Sequence, residues 1–275
     1  MPVTPAVPAA VGWPSPIAAT LPPGVIVPEH FPLKLVASHM LAASVRHLAF
    51  VRADGSALDF IPGQFLQVHF SYADGKPTKR SYSIATVRDG TADLADPIEI
   101  AVSYVSGGAA TELFAGLAEG DTIEASGPFG RFCLMPSDHN RRYLLIATGT
   151  GVTPYRAMLP SLRRAIVERG CEVILLFGAR SPDELLYGAE FVRFAETTPG
   201  FRFIACFSRV MPDVARPDDR KGYVQDHLSA LAPDPEGDIA YLCGNPNMVD
   251  ACFETLKNAG LPVPRIRREK YVSSR

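Results

Sequence analysis

Arg80-Ser81-Tyr82-Ser83 sets a fixed cation, an aromatic ring and a hydroxyl at the end of an extended run. Successive side chains of a strand point to opposite faces, so Arg80 and Tyr82 share one face and Ser83 turns to the other side of the rim. A guanidinium forks onto a diphosphate. A phenol ring packs on a planar heterocycle. A hydroxyl one step later reaches that heterocycle's edge. Together they describe a seat for a flavin dinucleotide, against the plainer reading of an ordinary edge strand. The motifs that follow in the chain decide between the two.

Around this stretch, from His30 to about Asp138, short runs alternate with turn signals. Strands are expected over 48–51, 65–70, 80–85, 98–104 and 121–125. Asp54-Gly55, Asp74-Gly75 and Asp89-Gly90 are the expected turns. A short helix is expected over 111–118. This spacing predicts a small antiparallel β-barrel. Gly107-Gly108-Ala109-Ala110-Thr111 leads into the helix, where N–H groups and the Thr111 hydroxyl suit a phosphate. An ordinary helix start with Thr111 near the cap is the alternative. Gly127-Pro128-Phe129-Gly130 is expected to turn and close the barrel.

From Arg141 the period changes. Strands are expected over 143–147, 173–177, 201–207 and 239–242. Helices are expected over 155–168, 182–195, 224–231 and 246–259. That alternation predicts a parallel sheet with helices on both faces and ligands beyond the strands' carboxyl ends. Gly149-Thr150-Gly151-Val152-Thr153-Pro154 stands between a strand and a helix. Glycines there let backbone approach a pyrophosphate, and Pro154 suits a first helical turn. A simple tight turn is the alternative, because Pro154 stands where a third glycine would. Cys243-Gly244-Asn245-Pro246 ends the last clear strand, either leaving room for a flat ring or packing a buried thiol.

Composition sets the outer bounds. At 275 residues the chain has room for two cores. The expected division is an arm over 1–28, a flavin-binding barrel over 29–138 and a nucleotide-binding α/β domain with its tail over 139–275. The arm is rich in Pro and Ala and lacks the basic start of a signal peptide. Apolar residues are 47% and charged residues 20%, and the net charge of −2 gives no general pull toward nucleic acid or anionic lipid. No apolar run approaches the ~18–20 residues of a membrane span. Five cysteines at wide spacings form no C-x-x-C pair, and the six histidines show no ligand spacing. No metal is expected, and a reducing, cytoplasmic setting is.

The order Pro62-Gly63-Gln64-Phe65, Arg80-x-Tyr82-Ser83, Gly108-x-x-Thr111, Gly127-Pro128-x-Gly130, Gly149 to Pro154 and Cys243-Gly244-x-Pro246 resembles the ferredoxin–NADP reductase family over about residues 33 to 271. The resemblance implies an FAD-binding barrel, an NADP-binding domain and a flavin at the cleft between them. Carried over by position, Arg80 holds the FAD diphosphate with Ser81 beside it. Tyr82 stacks on the flavin and Ser83 lies near N5. Tyr104, Val105, Ser106 and Gly108 line the flavin, and Thr111 binds phosphate. Thr150, Gly151 and Cys243 belong to the nicotinamide side. Glu269-Lys270-Tyr271 is similar to the carboxylate and aromatic that close the family's active site, which gives Ser83, Cys243, Glu269 and Tyr271 as the catalytic set. Val272 to Arg275 continue past Tyr271, as in the bacterial type. A solvated basic end is the alternative for 265–270.

Ser208-Arg209 follows the expected strand over 201–207, where the family reads a 2′-phosphate. Lys221 and Tyr223 resemble its adenine-side pair, with Gln225 next to them, and Arg180 is placed to assist. NADP(H) is therefore expected over NAD(H). The implied activity is hydride exchange with NADP(H) and single-electron exchange with a separate ferredoxin or flavodoxin, in a monomer. Lys34, Arg46, Lys76, Lys79 and the tail are the expected docking charges. The alternatives are an NAD(P)H:flavin oxidoreductase, the reductase of an oxygenase system, and a non-enzymatic nucleotide-binding subunit.

Overall fold

The computed structural model describes residues 28–90, 93, 96–135 and 138–271. The expected arm, apart from Pro28, and the tail beyond Tyr271 lie outside the described residues.

The first sheet holds β1 (Glu29–Ala42), β2 (Val45–Arg52), β3 (Phe65–Ser71), β4 (Pro77–Ser83), β5 (Ile98–Ser103) and β6 (Thr122–Phe129). They are six strands in the order β4-β3-β6-β1-β2-β5, and every pairing is antiparallel. Period-two alternation makes the curl: Phe31, Leu33 and Leu35 of β1 are buried while Lys34 between them is exposed. The open edges meet where Ile84 bridges Ile100 and the Ala85 N–H donates to the Glu99 carbonyl, so the sheet closes as a barrel. Leu33, Leu48, Phe50, Leu66, Val68, Ile100 and Phe114 pack inside it. Phe114 is on α1 (Ala109–Gly116).

The second sheet is parallel, in the order β10-β9-β8-β7-β11-β12. It holds β7 (Arg142–Thr148), β8 (Glu172–Ala179), β9 (Phe201–Phe207), β10 (Arg220–Lys221), β11 (Asp238–Gly244) and β12 (Ile266–Lys270). β11 is buried along its whole length, as a strand covered on both faces must be. Tyr143, Leu145 and Ala147 face α2 (Thr153–Arg169) and α3 (Gly188–Thr197); Leu144 and Ile146 face α4 (Pro246–Asn258). α2 has Pro154 in its first turn, and Gly170 in the left-handed region stops it. Asn245 caps α4 by accepting from the N–H groups of Asn247 and Met248. From β7 the chain winds outward through β8 and β9, then returns to β11 on β7's other side. The switch of direction lies between β7 and β11, at the loop 149–154 and at Cys243-Gly244.

The structure departs from the sequence expectations at several places. The segment 224–231 forms two 3-10 turns, Val224–His227 and Ser229–Leu231, in place of a helix. Val224 and Leu228 are buried at helical spacing, but a piece this short does not sustain an α-helix. In 182–195, a 3-10 turn at Pro182–Glu184 precedes the later start of α3. Gly127 to Phe129 continue β6 instead of turning, because Gly127 sits against Leu66 at positive φ, where a Cβ would come within 2.8 Å. The segment 266–270 is the edge strand β12, not a solvated end.

Candidate active site between barrel and sheet

β4 delivers the opening motif with its faces as expected. Thr78, Arg80 and Tyr82 are half-buried along one face, and Ser83 is buried on the other. The Arg80 guanidinium is held by three acceptors of the barrel. It donates to the Tyr72 hydroxyl (2.9 Å), the Thr78 hydroxyl (3.0 Å) and the Lys79 carbonyl (2.9 Å). Tyr82 stands edge-on to Phe114 with ring centroids 5.1 Å apart, which fixes its plane. Burial pushes its phenol well above the ordinary range.

Ser83 meets the second sheet. Its hydroxyl donates to Glu269 Oε1 (3.3 Å) and shares a hydrogen bond with the Tyr271 hydroxyl. The parallel register sets Glu269 opposite Cys243, and the Tyr271 N–H donates to the Gly244 carbonyl at 2.8 Å. Four side chains from β4, β11 and the end of β12 thus converge although Ser83 and Tyr271 are 188 residues apart. Burial pushes the Glu269 carboxyl up to about 7, and the Ser83 hydrogen bond opposes that rise. Burial also drives the Cys243 thiol well up, so it is a small, neutral group at the end of β11.

Two cavities flank this cluster. One, of about 560 Å³, runs along Arg80, Tyr82, Val105, Gly108, Thr153 and Glu269. The other, of about 570 Å³, lies beyond the carboxyl ends of the parallel strands, with Arg180, Ser208, Tyr223 and Gln225 among its walls. Ser103, Thr150 and Tyr271 belong to both. The residues present fit two nucleotides. The first cavity has a cation, a fixed aromatic plane and the start of α1, where a Cβ on Gly108 would come within 3.0 Å of the Val105 carbonyl. At the second, a Cβ on Gly151 would fall 2.3 Å from the Cys243 carbonyl, so only glycine lets the loop approach the end of β11 this closely.

Thr111 lines the barrel-side cavity, while several other expected residues lie elsewhere. The Thr111 hydroxyl accepts from the Val105 N–H (2.8 Å) and donates to the Val105 carbonyl (3.0 Å), so its proton is committed to the loop. Tyr104 and Ser106 are outside the cavity walls; Tyr104 packs against the barrel core. Gly151 and Cys243 sit behind the walls, buried. Arg209 and Lys221 are exposed near the second cavity without lining it, and Arg180 is paired with Glu184 at 2.6 Å. Arg46 is half-buried and donates to Ser38 and to the Phe114 and Leu117 carbonyls, neutral acceptors that hold its guanidinium in place. Sequence reading missed Ser44, Val45 and Ser103, which the barrel brings to the coenzyme side. No local signal marks them, since only the docking of the two sheets places them there.

Residues 32–133 match the family model described as oxidoreductase FAD-binding domain, and 145–254 match the oxidoreductase NAD-binding domain. The chain is 34% identical over 255 residues to ferredoxin–NADP reductase B of Sorangium cellulosum, covering 90% of this chain and 100% of that one. The chain belongs to the ferredoxin–NADP reductase family. As a member it is an FAD- and NAD(P)-binding oxidoreductase. It is also 36% identical to the reductase subunit of an Amycolatopsis aromatic O-demethylase, over 78% of this chain but 61% of that protein. Among solved structures, Amycolatopsis cytochrome P450 reductase GcoB matches with a TM-score of 0.75 and 33% identity, covering 88% of this chain and 70% of that one. Family members therefore include proteins longer than this sequence. Among the described residues no helix is long and apolar enough to cross a membrane.

Proposed function

We propose that the chain exchanges a hydride between NADP(H) and bound FAD, and single electrons with a separate ferredoxin or flavodoxin. The observation that carries this reading is the meeting of two nucleotide-sized cavities at Tyr271. When bound, FAD couples two-electron exchange with a nicotinamide to one-electron exchange with a carrier. The protein's part is to bind, orient and screen.

On the barrel side Arg80 takes the diphosphate and Tyr82 packs against the ring system, with Ser81, Val105 and Gly108 in the same cavity wall and Tyr104 and Ser106 flanking Val105 from outside it. The first N–H groups of α1 add positive potential. Thr111 acts at one remove by holding Val105 in place. Ser83 addresses the reacting edge, and Glu269 orients its hydroxyl. Cys243 leaves room for the nicotinamide, and Tyr271 covers the boundary until the coenzyme displaces it.

On the coenzyme side Thr150 and Gly151 approach the diphosphate, Tyr223 and Gln225 flank the adenine, and Ser208, Arg209 and Lys221 take the 2′-phosphate. Arg209 and Lys221 are both exposed, and among the described residues neither side chain has an ion-pair or hydrogen-bond partner, which supports NADP(H). Arg180 contributes less, because Glu184 already holds it. Buried, unpaired thiols at all five cysteines fit a reducing, cytoplasmic setting.

A second reading, the reductase of an oxygenase system, draws on the O-demethylase relative. Anaerobic titration with NADPH and with NADH, followed by ferredoxin or flavodoxin, separates them. Preference for NADPH and reduction of an added carrier supports the first. Preference for NADH with neither carrier reduced supports the second.

A further inference from the structure

We propose that Arg156 is a positioning residue that sets the spacing of the two cavities through a buried joint between barrel and sheet; the proposal rests on the hydride-exchange reading above. Arg156 stands in the first turn of α2, three residues after Thr153, which is a wall of the barrel-side cavity. Its guanidinium reaches across to the barrel. Nη1 donates to the Ala85 carbonyl (2.7 Å) and to the Glu99 carboxylate, while Nε donates to Glu190 of α3 (2.8 Å). Ala85 lies two residues after Ser83. One side chain therefore ties the Ser83 end of β4 to the start of the helix behind Thr150 and Thr153.

Aromatic and imidazole rings pack around the joint. The Tyr187 ring lies under the guanidinium, 4.7 Å away, and its hydroxyl bonds His47 Nδ1 at 2.9 Å. His47 Nε2 is 3.5 Å from Glu99, which completes a ring of contacts back to Arg156. His47 is 5% exposed, and the Arg156 and Glu99 side chains are 14% and 18% exposed. Tyr187 holds φ at 56°, a backbone state that a tyrosine occupies only where its surroundings enforce it. Burial pushes the Glu99 carboxyl up, but His47 and Arg156 outweigh it and hold the group ionised. A planar fork satisfies Ala85, Glu99 and Glu190 together, whereas a lysine at the same place has no such geometry. With only one or two residues between joint and cavity, no loop absorbs a displacement.

The test compares FAD-loaded wild type with Arg156→Gln, Arg156→Lys and Glu99→Gln. In Arg156→Gln and Glu99→Gln the limiting rate at which NADPH bleaches the flavin band should fall about ten-fold or more, as misplacement near 1 Å predicts. FAD content, half-saturating NADPH and ferricyanide reoxidation of dithionite-reduced protein should stay within about two-fold, a pattern that loss of fold would not produce. Arg156→Lys should recover only part of the rate. A limiting rate within about two-fold of wild type, or an equal fall in bleaching and reoxidation, overturns the proposal. Should Arg156→Gln not fold, Glu99→Gln decides alone, since it keeps the size of the side chain. Wild type that NADPH does not bleach refutes the hydride-exchange reading itself, and the joint with it.

Discussion

Ser83 is buried between a carboxyl and a phenol, and each contact argues for a different experiment. Ser83→Ala removes the hydroxyl proposed to face the reacting edge and keeps Arg80 and Tyr82, the proposed flavin contacts. Stopped-flow reduction should slow by about 10²-fold, the lower end for loss of one positioned donor, with FAD content unchanged. Unchanged reduction would remove Ser83 from the reaction. Glu269 makes a pH prediction. Its carboxyl keeps a proton up to about 7 in the fold, against 4.5 as an ordinary glutamate. The folded state thus binds more protons between those values, and stability contributed there is lost as pH rises from about 4.5 to about 7 and level beyond. Melting temperature measured across that window should decline less in Glu269→Gln than in wild type; parallel curves would contradict the shift. Arg209→Ala should raise the NADPH Michaelis constant about ten-fold, the scale of one charge-assisted contact, and leave NADH nearly unchanged. Equal effects on both coenzymes would withdraw the 2′-phosphate assignment.

At the scale of elements, the loop between β7 and α2 approaches β11 so closely that Gly151 has no space for a side chain. Gly151→Ala should cost about 1–3 kcal/mol of stability by overpacking and weaken NADPH binding as the loop moves away. Calorimetry and coenzyme titration together check this, and a variant with native melting and affinity would show the contact to be slack. What the sequence disclosed follows the same physics. β4, β7 and β11 were legible because period two, an unbroken apolar run and glycine punctuation are local signals. β12 was not, since Ile266 to Lys270 is mostly charged and becomes a strand only by pairing with β11. The 3-10 turns after Tyr223 show the converse: helical spacing of Val224 and Leu228 reports burial, not helix. Thr111, a motif residue in the cavity wall, also braces the loop at Val105.

Across the whole molecule, the Ser83 cluster exists only where barrel and sheet meet. Ser83 comes from one sheet, Cys243 and Glu269 from the other, and Ser103 and Tyr271 face both cavities. The order of motifs along the chain foretold the two halves, whereas their docking and the Arg156 joint arise from residues 34 to 188 positions apart in no recognisable pattern. A reaction across such a boundary depends on how the halves are held, as well as on the groups at the edge. The most direct measurement is the visible spectrum of the purified protein, before and after anaerobic NADPH. A yellow protein whose flavin band bleaches on addition is the predicted result. Protein that stays colourless after soaking in excess FAD would contradict it.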